Sequence, residues 1–433
     1  MNFTEKGWLR RYLQLRNHYT LQMEYNRLMS LPDSEALPET ILYGLLQPTG
    51  LLYGHPTNVP IVYRSLLRSL RTENLTPRET LKVILTESLL NSGLFSPRYA
   101  KINQRVDVAD ALLESATSIG KFYQSIYPGL PVEKTGKLIK KEPKGMELSE
   151  YMINLRIGTE ISEQKFWTVF IKNSLLFIDI LYFGQWLHAR HHANESERLL
   201  SGHQRLRLLI FKVIMAAAYA NRKIESEERQ MLQNYLELAH FDEKILAKAQ
   251  KLLAKGAGAQ TLTFERVKSP VLRRHLMELA ILTVCADREI NEEELAFLEK
   301  LRHKLGIDET LYLSSLLAVE GFVIEHAQRL PFFSESEKKS TLVAHFQELM
   351  RLVLQDHKTE LYNIIEKNPA LHRLLKKSLR EKMSTDNRKK IRHDLTEAIR
   401  QMEILRLISL PRSYLTYPML MEMLPTDLFV EQA

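Results

Sequence analysis

The sequence predicts an all-α protein, a multi-helix bundle with two helical-hairpin repeats in the centre. Three observations support this fold class. Leucine is abundant, whereas the alternation of β-branched and polar residues that marks half-buried strands is rare. Apolar residues instead recur at the three- and four-residue spacings of amphipathic helices. One short phrase, placed between two such helical segments, occurs twice near the middle of the chain.

Composition limits the class of protein before any motif is considered. The 433 residues can form two to four modest domains, and 45% of them are hydrophobic, as in ordinary soluble proteins. The single cysteine, Cys285, excludes an intramolecular disulfide and suits a reducing compartment. The first residues lack the apolar region of a secretory signal, so we expect a cytoplasmic protein, with the periphery of the inner membrane as a second location.

Residues 1–145 are expected to form an N-terminal helical domain. A helix over 6–30 precedes an arm rich in proline and glycine, which we expect to pack on the domain. Thr76, Pro77 and Glu79 have the spacing of a capping box and predict the start of the next helix, and another helix is predicted over 107–126. The basic linker 134–144, with its proline and glycine, indicates the first domain boundary.

Residues 146–200 are expected to form a connecting apolar helix, centred on 166–187. Lys172, Asn173 and Asp179 interrupt its apolar run. A charged residue near the centre of a membrane-spanning helix costs roughly 2.5 to 3.5 kcal/mol. The sequence therefore predicts a buried core helix here and not a membrane span.

Residues 201–330 contain the doubled phrase. The stretch Ala220-Asn221-Arg222-Lys223-Ile224-Glu225-Ser226-Glu227-Glu228 returns as Ala286-Asp287-Arg288-Glu289-Ile290-Asn291-Glu292-Glu293-Glu294. Small apolar residues precede each copy, which predicts helices that approach one another closely. Two helical hairpins of this kind would pack into one compact bundle.

The doubled phrase allows two interpretations. Asp287 and Glu294, with Asn221 and Glu228 at the matching positions, offer the oxygen ligands that a hard cation such as Ca²⁺ or Mg²⁺ prefers. The alternative is structural, because Asn291 followed by Glu294 has the spacing of a variant capping box. No cofactor is established by this pattern, and a divalent cation is the candidate.

The residues that recur in the phrase also resemble a known family. Ala286, Asp287, Ile290 and Glu294, with Ala220, Ile224 and Glu228 in the first copy, resemble the pattern of the TerB-like tellurite-resistance family over about 100 residues. The resemblance implies an all-helical bundle with an acidic, metal-binding face. It therefore implies that Asp287 and Glu294 bind a metal ion.

Residues 331–433 form a basic helical module, for which the sequence predicts two further helices and a tail spaced by prolines. The residues predicted to contact a polyanion are Lys376, Lys377, Arg380, Arg388, Lys389, Lys390 and Arg392. Aromatic residues are nearly absent around them, which disfavours base stacking and predicts no DNA sequence readout. Contact with phosphate or anionic lipid remains open, as does the alternative of a solvated helix face.

The end of the chain carries a second resemblance. The charged helix followed by Met402–Pro411 and Met423-Leu424-Pro425-Thr426-Asp427-Leu428-Phe429 resembles the end of the LETM family, over roughly 335–433. LETM-related biofilm-associated bacterial proteins have the most similar length and likewise lack a targeting sequence. This resemblance implies association with a membrane or a ribosome.

Together these patterns predict a non-enzymatic protein, because no catalytic constellation, phosphate loop or small-molecule site is evident. The leading hypothesis is a membrane-associated accessory protein that binds a divalent cation. One alternative is a module that binds ribosomes or another polyanion through the basic helices. The other is a structural scaffold that binds no metal.

Overall fold

The architecture is that of a computed structural model, which describes residues 1–16, 38–54, 75–94, 105–130, 144–158, 166–220, 226–256, 258–285, 292–327 and 336–429. These ranges contain 17 α-helices and no strand, which confirms the predicted all-α fold class. Three short 3₁₀ helices complete them, at Gln47–Thr49, Leu51–Tyr53 and Ala259–Thr261.

The helices follow one another along the chain, and residues 400–416, between the last two, are not helical. The first nine are α1 (Trp8–Arg16), α2 (Pro38–Leu46), α3 (Pro77–Leu94), α4 (Arg105–Ile126), α5 (Gly145–Ile157), α6 (Phe166–Ala189), α7 (Ala193–Ala218), α8 (Ser226–Leu238) and α9 (Glu243–Lys255). The last eight are α10 (Pro270–Cys285), α11 (Glu292–Leu305), α12 (Glu309–His326), α13 (Ser336–Asp356), α14 (Lys358–Glu366), α15 (Pro369–Ser378), α16 (Thr385–Ile399) and α17 (Tyr417–Met423).

The chain divides into two compact units. Unit 1 comprises Met1–Met215 and Ile224–Ala257, and unit 2 comprises Ala216–Lys223 and Gly258–Ala433. The four domain ranges predicted from the sequence stay predictions.

Helix α3 lies at the centre of unit 1, where it packs against α2, α4, α5 and α6. It begins at the capping box that the sequence predicts. The Thr76 backbone N–H donates to Glu79 Oε2 at 2.9 Å, and the Glu79 N–H donates to Thr76 Oγ1 at 3.2 Å. Two of the backbone donors that a helix start leaves unsatisfied are thereby paired.

Helix α6 is the buried core helix that the sequence predicts, and it packs against α3, α4 and α8. Its polar Asn173 is buried and donates to the Gly54 carbonyl at 3.0 Å. Gly54 has φ of +68°, and a Cβ there would lie 2.2 Å from Phe170 Cα. Only glycine therefore fits this contact. Among the described helices, none has both the length and the apolar character needed to cross a membrane.

The N-terminal segment, residues 1–16, is held to unit 1 by a buried carboxylate on α3. Glu87 accepts a hydrogen bond from the Tyr12 hydroxyl at 2.7 Å and pairs with Arg16 Nε at 2.8 Å. The side chains of Arg16 and Glu87 are both buried. Glu150 on α5 also accepts the backbone N–H groups of Gly7 and Leu9, at 2.8 and 3.0 Å. Charged groups that burial has desolvated thus fix the first helix in place.

In unit 2, α10 packs against α11 and α12, and α12 packs against α13. The next three helices, α14, α15 and α16, pack on one another, while α17 packs on α13 and α16. Ser314 on α12 donates to the Ile404 carbonyl at 2.8 Å, which ties the segment after α16 to the unit.

We expect the ion pair at Glu87 to dominate the attachment of the N-terminal segment. Arg16→Ala leaves a buried carboxylate without its cation and should lower the free energy of unfolding by about 3 to 5 kcal/mol in chemical denaturation. Tyr12→Phe should cost about 1 to 2 kcal/mol. Arg11→Ala is the control, because its pair with Glu5 is exposed and should contribute below about 1 kcal/mol. Equal losses for Arg16→Ala and Arg11→Ala would contradict this account.

Candidate functional site

The two glutamates of the doubled phrase occupy the same position in their helices. Glu228 is the third residue of α8, in unit 1, and Glu294 is the third residue of α11, in unit 2. Each is 3% exposed, so both carboxylates face the interior although they stand at helix starts. Asn221 and Asp287, together with the predicted cap residue Asn291, lie outside the described residues. The cation ligands and the capping box therefore stay predictions.

Glu320, a buried carboxylate on α12, and Glu294 are both close enough to Cys285 to act on its thiol. Burial raises the pKa of Cys285 well above its ordinary value, and the charges of Glu320 and Glu294 raise that pKa further. The three side chains are all buried. In the described part of the chain, no group of three or more histidine, cysteine, aspartate or glutamate side chains is placed to hold a metal ion.

Glu320 is a residue that the sequence-based prediction missed. It is fully buried on α12, and its Oε1 is 2.8 Å from Nδ1 of the partly exposed His345 on α13. The sequence feature that could have identified Glu320 is its position as the one acid in an apolar run, Leu316-Leu317-Ala318-Val319-Glu320-Gly321-Phe322-Val323-Ile324. A lone carboxylate in such a run needs a partner, because a buried charge without one is costly.

The pair of Glu320 and His345 links stability to pH. Burial raises the pKa of Glu320, and the hydrogen bond to Glu320 raises the pKa of His345 above 6.5. A group whose pKa is raised on folding contributes stability that is present below its unfolded pKa. That contribution is lost as pH rises through the folded pKa. The contribution of His345 is therefore lost above pH 6.5.

We predict that His345→Gln makes unfolding less dependent on pH. The difference in free energy of unfolding between wild type and variant should shrink as pH rises above 6.5, because His345 loses its charge. Chemical denaturation at a series of pH values measures this difference. The control is His345→Gln in a Glu320→Gln background, where the partner is neutral and the difference should stay flat. A constant difference in both backgrounds would be inconsistent with a charged pair.

The predicted polyanion-binding residues gather at the corner between α15 and α16. Lys376 and Lys377 lie in the last turn of α15, Arg380 follows it, and three more lie in the first two turns of α16. The exposed side chains at this corner include those of Lys376, Lys377, Arg380, Lys382, Lys389 and Lys390. We refer to these six residues as the basic surface.

Two predicted polyanion-binding residues instead hold the segment after α16. Arg392 donates from Nε to the Leu415 carbonyl at 2.7 Å and from Nη2 to the Arg412 carbonyl at 2.6 Å. Arg388 is half-buried, and its guanidinium lies 5.6 Å from the centre of the Tyr417 ring. Both positive charges remain, but Arg392 directs two of its donors to protein carbonyls, and Arg388 lies over an aromatic ring.

The net charge of the protein is concentrated at this corner. Residues 367–392 contain ten basic and two acidic residues, whereas the whole chain contains 60 basic and 52 acidic residues. The remainder therefore carries 50 of each sign and is neutral overall. Arg388 also stands in the first turn of α16, where the helix dipole disfavours a positive charge. Helix stability does not explain this placement.

Comparison with known proteins supports one of the two resemblances. Residues 207–313 match the family model described as tellurite resistance protein TerB. This confirms a TerB-like region in the middle of the chain and covers less than half of it. No curated protein and no solved structure matches the chain. None of the comparisons supports the resemblance of residues 335–433 to LETM proteins.

Proposed function

We propose that this protein is a non-enzymatic accessory protein, which carries a TerB-like helical region and docks on an anionic membrane surface through its basic surface. The observation that supports this most is the charge distribution. The entire net charge of +8 lies within 26 residues, and their lysines are exposed. A Lys or Arg near an anionic membrane contributes about 1 kcal/mol, so six of them favour reversible docking.

An exposed leucine favours lipid over nucleic acid as the partner. Leu379 is 62% exposed and stands between the lysines of α15 and Arg380. An apolar side chain surrounded by cations suits a bilayer interface, where burying it gains about 1.5 to 3 kcal/mol. Residues 367–392 contain no phenylalanine, tyrosine or tryptophan on which bases could stack.

The LETM resemblance at 335–433 agrees with this proposal, because that family includes membrane-associated proteins. The location that follows is the cytoplasmic face of the inner membrane. Ribosome binding through the same residues is the alternative. It would use the same cations, with phosphates of RNA as the contacts.

Flotation with lipid vesicles tests the proposal. The full chain should float with vesicles that contain about 30% anionic lipid but not with neutral vesicles, and binding should weaken as salt rises. Replacing Lys376, Lys389 and Lys390 with Glu should reduce binding at least about tenfold, because it removes three attractive charges and adds three repulsive ones. Leu379→Ser should reduce binding at least about tenfold while leaving the salt dependence unchanged.

The matched control replaces three exposed lysines of α9, Lys248, Lys251 and Lys255, with Glu. It makes the same change in net charge at another place, so it should leave most of the vesicle binding intact. Equal losses in the two triple variants would show that only total charge matters and would contradict a defined docking surface. Salt-sensitive pelleting with ribosomes in place of flotation would favour the polyanion alternative.

A divalent cation at the second copy of the phrase is the other candidate. What favours it is the burial of Glu294 at the start of α11, seven residues after Asp287. Calorimetric titration of the purified chain with Ca²⁺ and Mg²⁺ should give stoichiometric heat, which Asp287→Asn reduces. Glu293→Gln is the control, because this neighbour of Glu294 is exposed. Absence of heat with either ion would leave the scaffold interpretation, in which these acids only stabilise helix starts.

A further inference from the structure

Unit 1 contains a buried polar cluster built around one carboxylate. Asp179 on α6 is fully buried and pairs with Arg156 Nη2 of α5 at 3.0 Å. Its Oδ1 lies 2.9 Å from His203 Nε2 of α7, and the Tyr127 hydroxyl, just after α4, donates to it at 3.0 Å. Arg156 Nη2 also donates to the Tyr127 oxygen at 3.0 Å. The acceptor capacity of Asp179 is thus taken up by these three side chains.

A second arginine of the cluster has no carboxylate. Arg207 on α7 is 0% exposed, and its Nη1 donates to the Ala239 carbonyl. Its Nε and Nη2 are buried and have no hydrogen-bond partner among the residues that the structure describes. The guanidinium lies 4.7 Å from the centre of the Tyr127 ring, and the guanidinium of Arg156 lies 4.2 Å from the same ring. Two cations therefore share one aromatic ring and one carboxylate.

The charges of the cluster do not balance. Burial opposes ionisation of Asp179, but Arg156, His203 and Arg207 together lower its pKa, so it carries one negative charge. Burial lowers the pKa of His203, which is therefore neutral near pH 7, and burial raises the pKa of Tyr127 to about 12. Two arginines against one aspartate leave one excess positive charge. An unpaired buried charge is unfavourable, so an anion is expected beside it.

The unpaired atoms of Arg207 have the geometry of an anion receptor. Nε and Nη2 form the edge with which a guanidinium donates two parallel hydrogen bonds to a carboxylate or a phosphate group. Nη1 of Arg207 donates to the Ala239 carbonyl just after α8, so the guanidinium lies close to the next residue, His240, which is exposed. The His240 ring lies 5.4 Å from that of Tyr127, and its backbone has φ of +45°, which side-chain-bearing residues rarely adopt.

We propose that the Nε–Nη2 edge of Arg207 binds a small oxyanion, through two oxygens of a carboxylate or phosphate group, beneath the exposed His240. This site lies in unit 1. In sequence it is separate from the basic surface and from the second copy of the doubled phrase. The site binds a compact anion that loses its water on binding. The basic surface faces solvent and suits an extended anionic partner.

Titration of the full chain with inorganic phosphate, acetate and chloride at constant ionic strength tests the proposal. Thermal unfolding should show a saturable rise in Tm with phosphate or acetate beyond that with chloride, and the more effective anion identifies the ligand class. Arg207→Lys keeps the charge but loses the two-atom edge, so it should weaken binding at least about tenfold. Arg205→Lys is the control, since Arg205 is exposed on the same helix.

A second pair of variants does not depend on Arg207→Lys folding. His240→Glu places a competing carboxylate at the exposed position beside the arginines, and His240→Gln is its neutral match on the same backbone. The Glu variant should bind phosphate and acetate at least about fivefold more weakly than the Gln variant. Equal affinities in this pair would overturn the proposal. The proposal would also be overturned if phosphate and acetate raised the Tm of the wild-type chain no more than chloride does. Ordered water would then be the hydrogen-bond partner of Arg207.

Discussion

Unit 1 depends on the pairing of one buried carboxylate, Asp179. A charge in the middle of an apolar helix can be buried only where partners from other elements reach it. Those partners are Arg156 on α5, His203 on α7 and Tyr127 after α4. Asp179 therefore fixes the place where these helices meet α6. The same residue that makes α6 unsuited to a membrane core also sets how α6 packs in the protein.

Local patterns made the fold class predictable, but they could not supply the partners of buried charges. The capping box at Thr76 and Glu79 and the burial of α6 follow from residues close in sequence, and both are confirmed. Glu320 and His345 are 25 residues apart. Nothing in the spacing of either helix indicates the other, so such a pair becomes visible only once the helices are packed.

The candidate sites were predictable to a smaller extent for the same reason. The sequence identifies Arg388, Lys389, Lys390 and Arg392 as one basic run, and helix periodicity cannot separate them. The structure separates them, because Arg392 donates hydrogen bonds to the carbonyls of Arg412 and Leu415. Asp287 and Asn221 lie outside the described residues, and their role as ligands stays a prediction. Arg392 thus holds the segment after α16, while Lys389 and Lys390 of the basic surface extend into solvent.

In the proposed function, the basic surface is where this protein meets an anionic membrane. Reductive methylation of lysine amines, read by mass spectrometry with and without anionic vesicles, tests it at individual residues. The account predicts that vesicles protect Lys376, Lys389 and Lys390, while Lys248, Lys251 and Lys255 on α9 react at unchanged rates. Protection spread evenly over all lysines, or confined to α9, would contradict it.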